Sequence, residues 1–277
     1  MFHEQRDLRE EVDEYFEAGA VVRPGDVVLD VGANVGAFAM RVAERTAGDV
    51  TIHCFEPAPP TFAILERNLR TQPHLARARA RAWPLALTRT EHAGRERDFY
   101  FFANAPTNST YDLDDKHAEH EAYFAAQLER AADRLRRASP RLGARLGTSL
   151  ARNGARLFRR DHRLMTWISD RASGVEVQRC RTDSIERWAA SAGVTHVDLL
   201  KIDVEGAELD VLEGCGAMWS GIHCVAVETS GRDGRASRIR ERLVSNGLTE
   251  ILRFVPRAAL RDGLDNVLFV ARRPGLP

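Results

Sequence analysis

Val27-Val28-Leu29, Val50–Phe55, Val197–Ile202 and Ile222–Val227 are short, largely apolar runs in a chain of 277 residues. Runs of this length and pattern read as strands covered on both faces, and such strands need helices above and below their sheet. The intervening segments supply them. Phe38, Met40, Val42 and Ala43 recur at helical spacing between 37 and 45, and a second helix runs from about Pro60 to Leu69. Repeated strand, helix, strand order implies parallel strands joined by crossovers, an α/β class.

The first 18 residues read as a helix ending near Gly19. Further strands are expected at Ala80–Leu87, Phe99–Phe102 and Val175–Cys180, with helices at about Asp183–Ala192, from Glu205-Gly206-Ala207 to near Gly214, and at Arg235–Asn246. Glu250–Val255 and Asn266–Arg272 are the last strands. Regularity breaks between Tyr111 and Ser173, where Phe124, Leu128, Ala131 and Leu135 and then Leu142, Leu146 and Leu150 form helical stripes. The reading is one domain over 1–277 with about seven strands, carrying a helical, Arg-rich insertion at 111–173.

Charge matters mainly through its distribution. Lys plus Arg and Asp plus Glu are 40 each, which argues against a nucleic-acid coat or an acidic tail. Residues 129–163 nevertheless hold 11 arginines against three acids, a formal +8 that leaves −8 for the rest. Such a segment suits an anionic membrane surface, a partner subunit or a homodimer arm, and equally a lid with solvated arginines. No run approaches the roughly 18 apolar residues of a membrane span, and Met1–Glu14 is too charged for a signal peptide, so the cytoplasm is expected. Cys54, Cys180, Cys215 and Cys224 form no CxxC pair and read as buried, reduced thiols.

In an open parallel sheet, ligands bind beyond the carboxyl ends of the strands, near the point where strand order reverses. After the first run comes Asp30-Val31-Gly32-Ala33-Asn34-Val35-Gly36, and Glu56-Pro57 closes the second. Small residues allow close backbone approach, and a carboxylate at that spacing suits ribose hydroxyls, so an adenosine-containing ligand is indicated. The loop lacks the third glycine of a dinucleotide site. Asp30 beside it would repel a pyrophosphate yet could hold an amino group, which favours S-adenosylmethionine and leaves an NAD-linked oxidoreductase as the alternative.

Lys201, Asp203 and Glu205 follow at two-residue spacing, on one side of the sheet if that strand continues to 205. Ionisable groups at the end of an apolar strand cost desolvation energy unless paired or used, and Lys201 is one of only two lysines. A Lys201 to Asp203 ion pair that only braces the loop is the competing reading. Glu228 ends the next strand and would face the same cleft, or lie solvated on a loop. His196 and His223 begin their strands, the wrong end for catalysis; His53 lies within one. His117, His120 and His162 fall in the insertion with no ligand pattern around them, so no metal site is assigned.

With DVGANVG at 30–36, Phe55-Glu56-Pro57 with Asn68-Leu69, Thr182-Asp183-Ser184-Ile185, KIDVEGAE at 201–208 and Val227-Glu228, the sequence resembles the FkbM family of S-adenosylmethionine-dependent methyltransferases. The likeness covers about 20–110 and 174–272; the insertion has no counterpart in the family pattern. The resemblance implies a Rossmann-like, seven-stranded, mostly parallel sheet with one antiparallel strand at its edge, taken as the last, and O-methylation of sugars, glycolipids or polyketide-type natural products. It implies that Asp30, Gly32, Asn34 and Gly36 line the methionine part of the cofactor, with Glu56 and adjoining Pro57 at the ribose. Lys201, Asp203, Glu205 and Glu228 would face the hydroxylated acceptor, with Asp203 the first candidate base. Mg2+ held by these carboxylates is an alternative way to acidify the hydroxyl. Nucleic acid is not an expected acceptor, because the central strand ends in Asp-Val-Glu-Gly and not in an Asn/Asp-Pro-Pro-aromatic turn.

Overall fold

The computed structural model describes residues 2–103, 109, 110, 113, 117, 137, 174–262 and 264–275. The 111–173 insertion, including the basic stretch 129–163, therefore lies outside the described residues except at those single positions. In chain order the elements are α1 (Phe2–Glu17), β1 (Val27–Val31), α2 (Ala37–Arg45), β2 (Thr51–Phe55), α3 (Pro59–Thr71), β3 (Arg79–Trp83), β4 (Leu85–Leu87) and β5 (Glu96–Phe102). After the insertion come β6 (Val175–Asp183), α4 (Ile185–Ala192), β7 (Val197–Ile202), α5 (Glu208–Glu213), β8 (Ile222–Ser230), α6 (Arg235–Ser245), β9 (Glu250–Phe254), α7 (Arg257–Asp262) and β10 (Asn266–Arg272).

Seven strands form one sheet in the order β3-β2-β1-β7-β8-β10-β9. The chain builds outward from β1 in one direction and from β7 in the other, so strand order reverses between them, where Asp30 and Lys201 are register partners. Helices cover both faces, as the apolar runs require. Phe38, Val42, Leu65 and Leu69 of α2 and α3, with Val12 and Tyr15 of α1, pack on one face. Ile185 and Trp188 of α4, Leu212 of α5, and Ile239 and Leu243 of α6 pack on the other. Each fully buried Leu, Ile or Val of β1, β7 and β8 contributes about 1.5–3 kcal/mol by leaving water.

Two expectations need correction. The last strand, β10, is indeed the antiparallel one, but it lies between β8 and β9 and is not at the edge. A return strand that pairs on both sides exposes no ladder of its own, and β9 takes the edge instead. The single strand expected at Ala80–Leu87 is two. Pro84 has no N–H to continue a ladder, and there the chain leaves the large sheet for a second one, of order β4-β6-β5. Phe99, Phe101, Ala86 and Cys180 form the small sheet's own core, so the described residues hold ten strands and not about seven.

Ser184 accepts a hydrogen bond from the Arg187 N–H and caps α4, which ends at Gly193 in the left-handed region. Helix α1 is tied across the chain by Glu14, whose carboxylate accepts from the backbone N–H of Arg257 at the start of α7. All four cysteines are free and buried. Among the described residues no helix is long and apolar enough to cross a membrane.

Candidate active site

A cleft of about 360 Å³ opens beyond the carboxyl ends of β1, β2 and β7, at the reversal of strand order, within the size range of small-molecule sites. Its floor is set by a close backbone approach. A Cβ on Gly32 would stand 1.9 Å from the Asp203 carbonyl oxygen, so only glycine lets the loop after β1 lie against the loop after β7. Gly32 and Ala33 donate their N–H groups to the Phe55 carbonyl, and Asp203 N–H donates to the Val31 carbonyl. Asn68 of α3 holds the far side of the loop by donating to the Val35 carbonyl at 2.8 Å.

Glu56 joins the loops after β1 and β2. One carboxylate oxygen accepts from Asn34 N–H at 3.1 Å and the other from Ala58 N–H at 2.9 Å. Burial pushes its carboxyl up to about 7, against the opposing pull of those two N–H groups. Each oxygen keeps a free lone pair, so the group can still accept from a diol in the cleft. Around it Phe55, Pro57, Leu85, Leu87 and Phe99 offer apolar surface fit for a purine. Glu11, Glu14, Asp203, Glu205 and Glu228 line the same cleft, with Lys201 as the cation among its described lining residues. This excess of acid suits a ligand carrying sulfonium and ammonium charges and opposes a pyrophosphate. The residues present therefore fit S-adenosylmethionine.

Asp30 does not take the place expected of it. Its side chain is 0% exposed, on the sheet face that α2 covers, with Lys201 Nζ 3.1 Å from its carboxylate. Lys201 Nζ also donates to the Gly32 carbonyl at 2.9 Å and lies 3.4 Å from Asp203. Burial works against the lysine charge, but Asp30 and Asp203 outweigh it and hold the ammonium above its ordinary range. Burial likewise drives Asp30 up, and Lys201 opposes it. At 3% exposure Lys201 braces both loops from beneath, more than the bracing by Asp203 alone that its spacing suggests.

Strand β7 stops at Ile202, so Lys201, Asp203 and Glu205 are not three successive positions of one strand face. Asp203 and Glu205 reach the cleft from the loop, where Thr110 donates its hydroxyl to the Glu205 carbonyl at 2.7 Å. Glu228 lies inside β8, which continues to Ser230, and not at its end. Asn266 of β10 donates to it at 3.4 Å, and the Tyr15 hydroxyl of α1 lies 3.4 Å from its other oxygen. Burial raises the Glu228 carboxyl to about 8, with the charges of Asp203 and Glu205 adding to the effect. Tyr15, Asn266, Thr110 and the small-sheet residues have no motif in sequence. A tyrosine in the apolar stripe of α1, with a hydroxyl that burial obliges to find a partner, was the one available signal.

No histidine is among the described residues that line the cleft. His53 packs edge-on against Trp188, and burial followed by the Arg81 charge lowers it to about 4. His223 and His196 flank Asp198 at the opposite ends of the strands. His117 is buried, and His120 and His162 lie outside the described residues. Among the described residues no group of three or more His, Cys, Asp or Glu side chains could hold a metal ion.

The Methyltransferase FkbM domain matches residues 30–255. The chain is 31% identical over 272 residues to the AMB antimetabolite synthetase AmbE of Pseudomonas aeruginosa, covering 95% of this chain but only 11% of that protein. It is 30% identical to the 31-O-demethyl-FK506 methyltransferase FkbM of Streptomyces tacrolimicus, covering 86% of this chain and 78% of that one. Among solved structures, a methyltransferase FkbM from Methylobacillus flagellatus KT aligns with a TM-score of 0.49 at 12% identity, over 94% of this chain and 50% of that one. The domain match spans most of the chain and includes the cleft loops after β1, β2, β7 and β8, and on it the chain belongs to the FkbM family of S-adenosylmethionine-dependent methyltransferases.

Proposed function

We propose that this chain methylates a hydroxyl oxygen of a sugar, glycolipid or polyketide-type natural product. The observation that carries the reading is Glu228, a carboxyl held in the cleft by Asn266 and raised to about 8, where a proton acceptor for an alcohol would be needed. The name of the Streptomyces relative, which denotes methylation at a 31-O position, supports the same chemistry.

S-adenosylmethionine supplies an electrophilic methyl on a sulfonium sulfur. Glu56 would hold the ribose and the Gly32 to Gly36 loop the methionine part, and the acid-rich wall of Asp203 and Glu205 would balance the cofactor's positive charge. Glu228 takes the acceptor's O–H proton as the C–O bond forms and the C–S bond breaks. It replaces Asp203 as first candidate because Asp203 faces Lys201 at 3.4 Å with 44% of its side chain exposed, so its charge is already matched and hydrated. Lys201 keeps the two loops in register, and alignment of the acceptor oxygen with the breaking bond supplies several kcal/mol, on the order of the largest orientation effects. The 111–173 segment leaves the described fold at Thr110, a cleft-lining residue, and we assign acceptor selection to that segment.

Transfer of labelled methyl from S-adenosylmethionine across a panel of sugars, glycolipids and macrolide alcohols, with the product mapped by NMR, tests the reading. A methyl on oxygen is expected; a product methylated only on nitrogen or carbon would overturn it. Removal of 111–173 should impair transfer more than S-adenosylhomocysteine binding, and equal loss of both would remove its assigned role.

A further inference from the structure

Residues 30–255 carry the family match, yet among the described residues both side chains that hydrogen-bond the Glu228 carboxylate come from outside that span. Asn266 of β10 approaches one oxygen and Tyr15 of α1 the other, each at 3.4 Å. Tyr15 is 4% exposed and packs edge-on against Phe38, with ring centroids 5.5 Å apart. Its ring is thus fixed by apolar contact and its hydroxyl is left to the cleft. Glu14, one residue earlier, ties α1 to the start of α7, so the helix that carries Tyr15 is anchored at this position.

We propose that Tyr15 is a positioning residue for methyl transfer: its hydroxyl donates to Glu228, favours the ionised carboxylate and aims it into the cleft. This rests on the reading of Glu228 as the base. Tyrosine suits the task because its own proton is secure: burial, then the charges of Asp203 and Glu228, then a hydrogen bond to Asp203, hold the phenol well above its ordinary range, and the hydroxyl stands between the two carboxylates. Loss of the hydroxyl would leave a carboxylate facing other acids with one donor fewer.

The surroundings of Glu228 set what a titration must separate. From α1 it is faced by Tyr15, with Glu11 and Glu14 further along the cleft wall. Asp203 and Glu205 face it from the loop after β7, and Lys201 paired with Asp30 lies below. A polar recess behind it holds Glu208 of α5 and Arg235 of α6. Tyr15→Phe changes none of these charges and keeps the ring that packs on Phe38.

The test is an infrared-detected pH titration of the full chain without ligand, with the Glu228 band identified as the one lost in Glu228→Gln. In Tyr15→Phe the midpoint is expected to rise by about half to one pH unit, which is three- to tenfold in proton affinity. The acid limb of kcat/KM for methyl transfer should rise with it, while S-adenosylhomocysteine affinity stays within about twofold, since the variant alters proton affinity and no contact assigned to the adenosine. An unmoved midpoint in Tyr15→Phe, with Glu228→Gln inactive, would overturn this inference alone. Full activity of Glu228→Gln would overturn it together with the reading on which it rests.

Discussion

Asp30 and Glu228 are acids on two parallel strands of one sheet, β1 and β8, with β7 between them, and their surroundings give them opposite tasks. Asp30 meets an ammonium 3.1 Å away and is sealed from solvent. Glu228 takes its hydrogen bonds among the described residues from neutral donors, faces further carboxylates that outweigh the pull of Lys201, and remains at the cleft. A buried charge with a matched partner is a fastener; a buried acid among acids holds its proton tightly and is suited to exchanging it near neutral pH. The lesson is that position at a strand end marks a residue for scrutiny, and the counter-charge decides what it does.

The contrast can be broken from either side. The largest effect is expected from Lys201→Met, which strands the Asp30 charge inside the sheet and should cost about 3–5 kcal/mol in urea unfolding. Asp30→Leu combined with Lys201→Met should regain most of that loss, and failure to regain it would show that the pair does more than neutralise itself. Glu228→Gln should leave the unfolding midpoint near wild type at about pH 5, where the native carboxyl still holds its proton, while lowering methyl transfer by about 100- to 10,000-fold in a labelled-methyl assay. Glu56→Gln, which weakens the clamp on Asn34 and Ala58, is expected to reduce S-adenosylhomocysteine affinity by about 10- to 100-fold in calorimetry.

The smallest effects are those of pH. Glu228 must be ionised to accept a proton, so kcat/KM should rise with pH through about 8. Stability runs the other way. A carboxyl raised from 4.5 to about 8 on folding binds more protons in the native state between those values. Its contribution is full below the unfolded pKa and declines as pH rises through the folded one, at no more than about 1.4 kcal/mol per pH unit. Glu56, raised to about 7, acts in the same direction over a narrower window. Chemical unfolding at pH 5, 7 and 9 should therefore show a shallower decline in Glu228→Gln than in wild type.

Much of the large sheet was legible because its signals are local. Five-residue apolar runs and helical stripes report burial on both faces, and the run at 266–272 coincides with β10 as found. The loop glycines and Glu56 were legible for the same reason, since turn geometry and a carboxylate after a strand are short-range features. Tyr15 and Asn266 were not, because they are 213 and 38 residues from Glu228 along the chain and no spacing rule connects them. Nor was the fate of Asp30, which depends on a lysine 171 positions away made its neighbour by parallel pairing of β1 with β7.

The sequence by itself determined the class of fold, the location of the ligand cleft at the reversal of strand order, and the family to which the catalytic loops belong. Those follow from hydrophobic periodicity and short motifs, which act over a few residues. Tertiary structure alone decided that Pro84 diverts the chain into a second sheet, that Lys201 forms an ion pair with Asp30, and that Glu228 keeps company with Tyr15 and Asn266. The reason is that desolvation and pairing of a charge depend on what packs around it in three dimensions, and those neighbours come from distant parts of the chain.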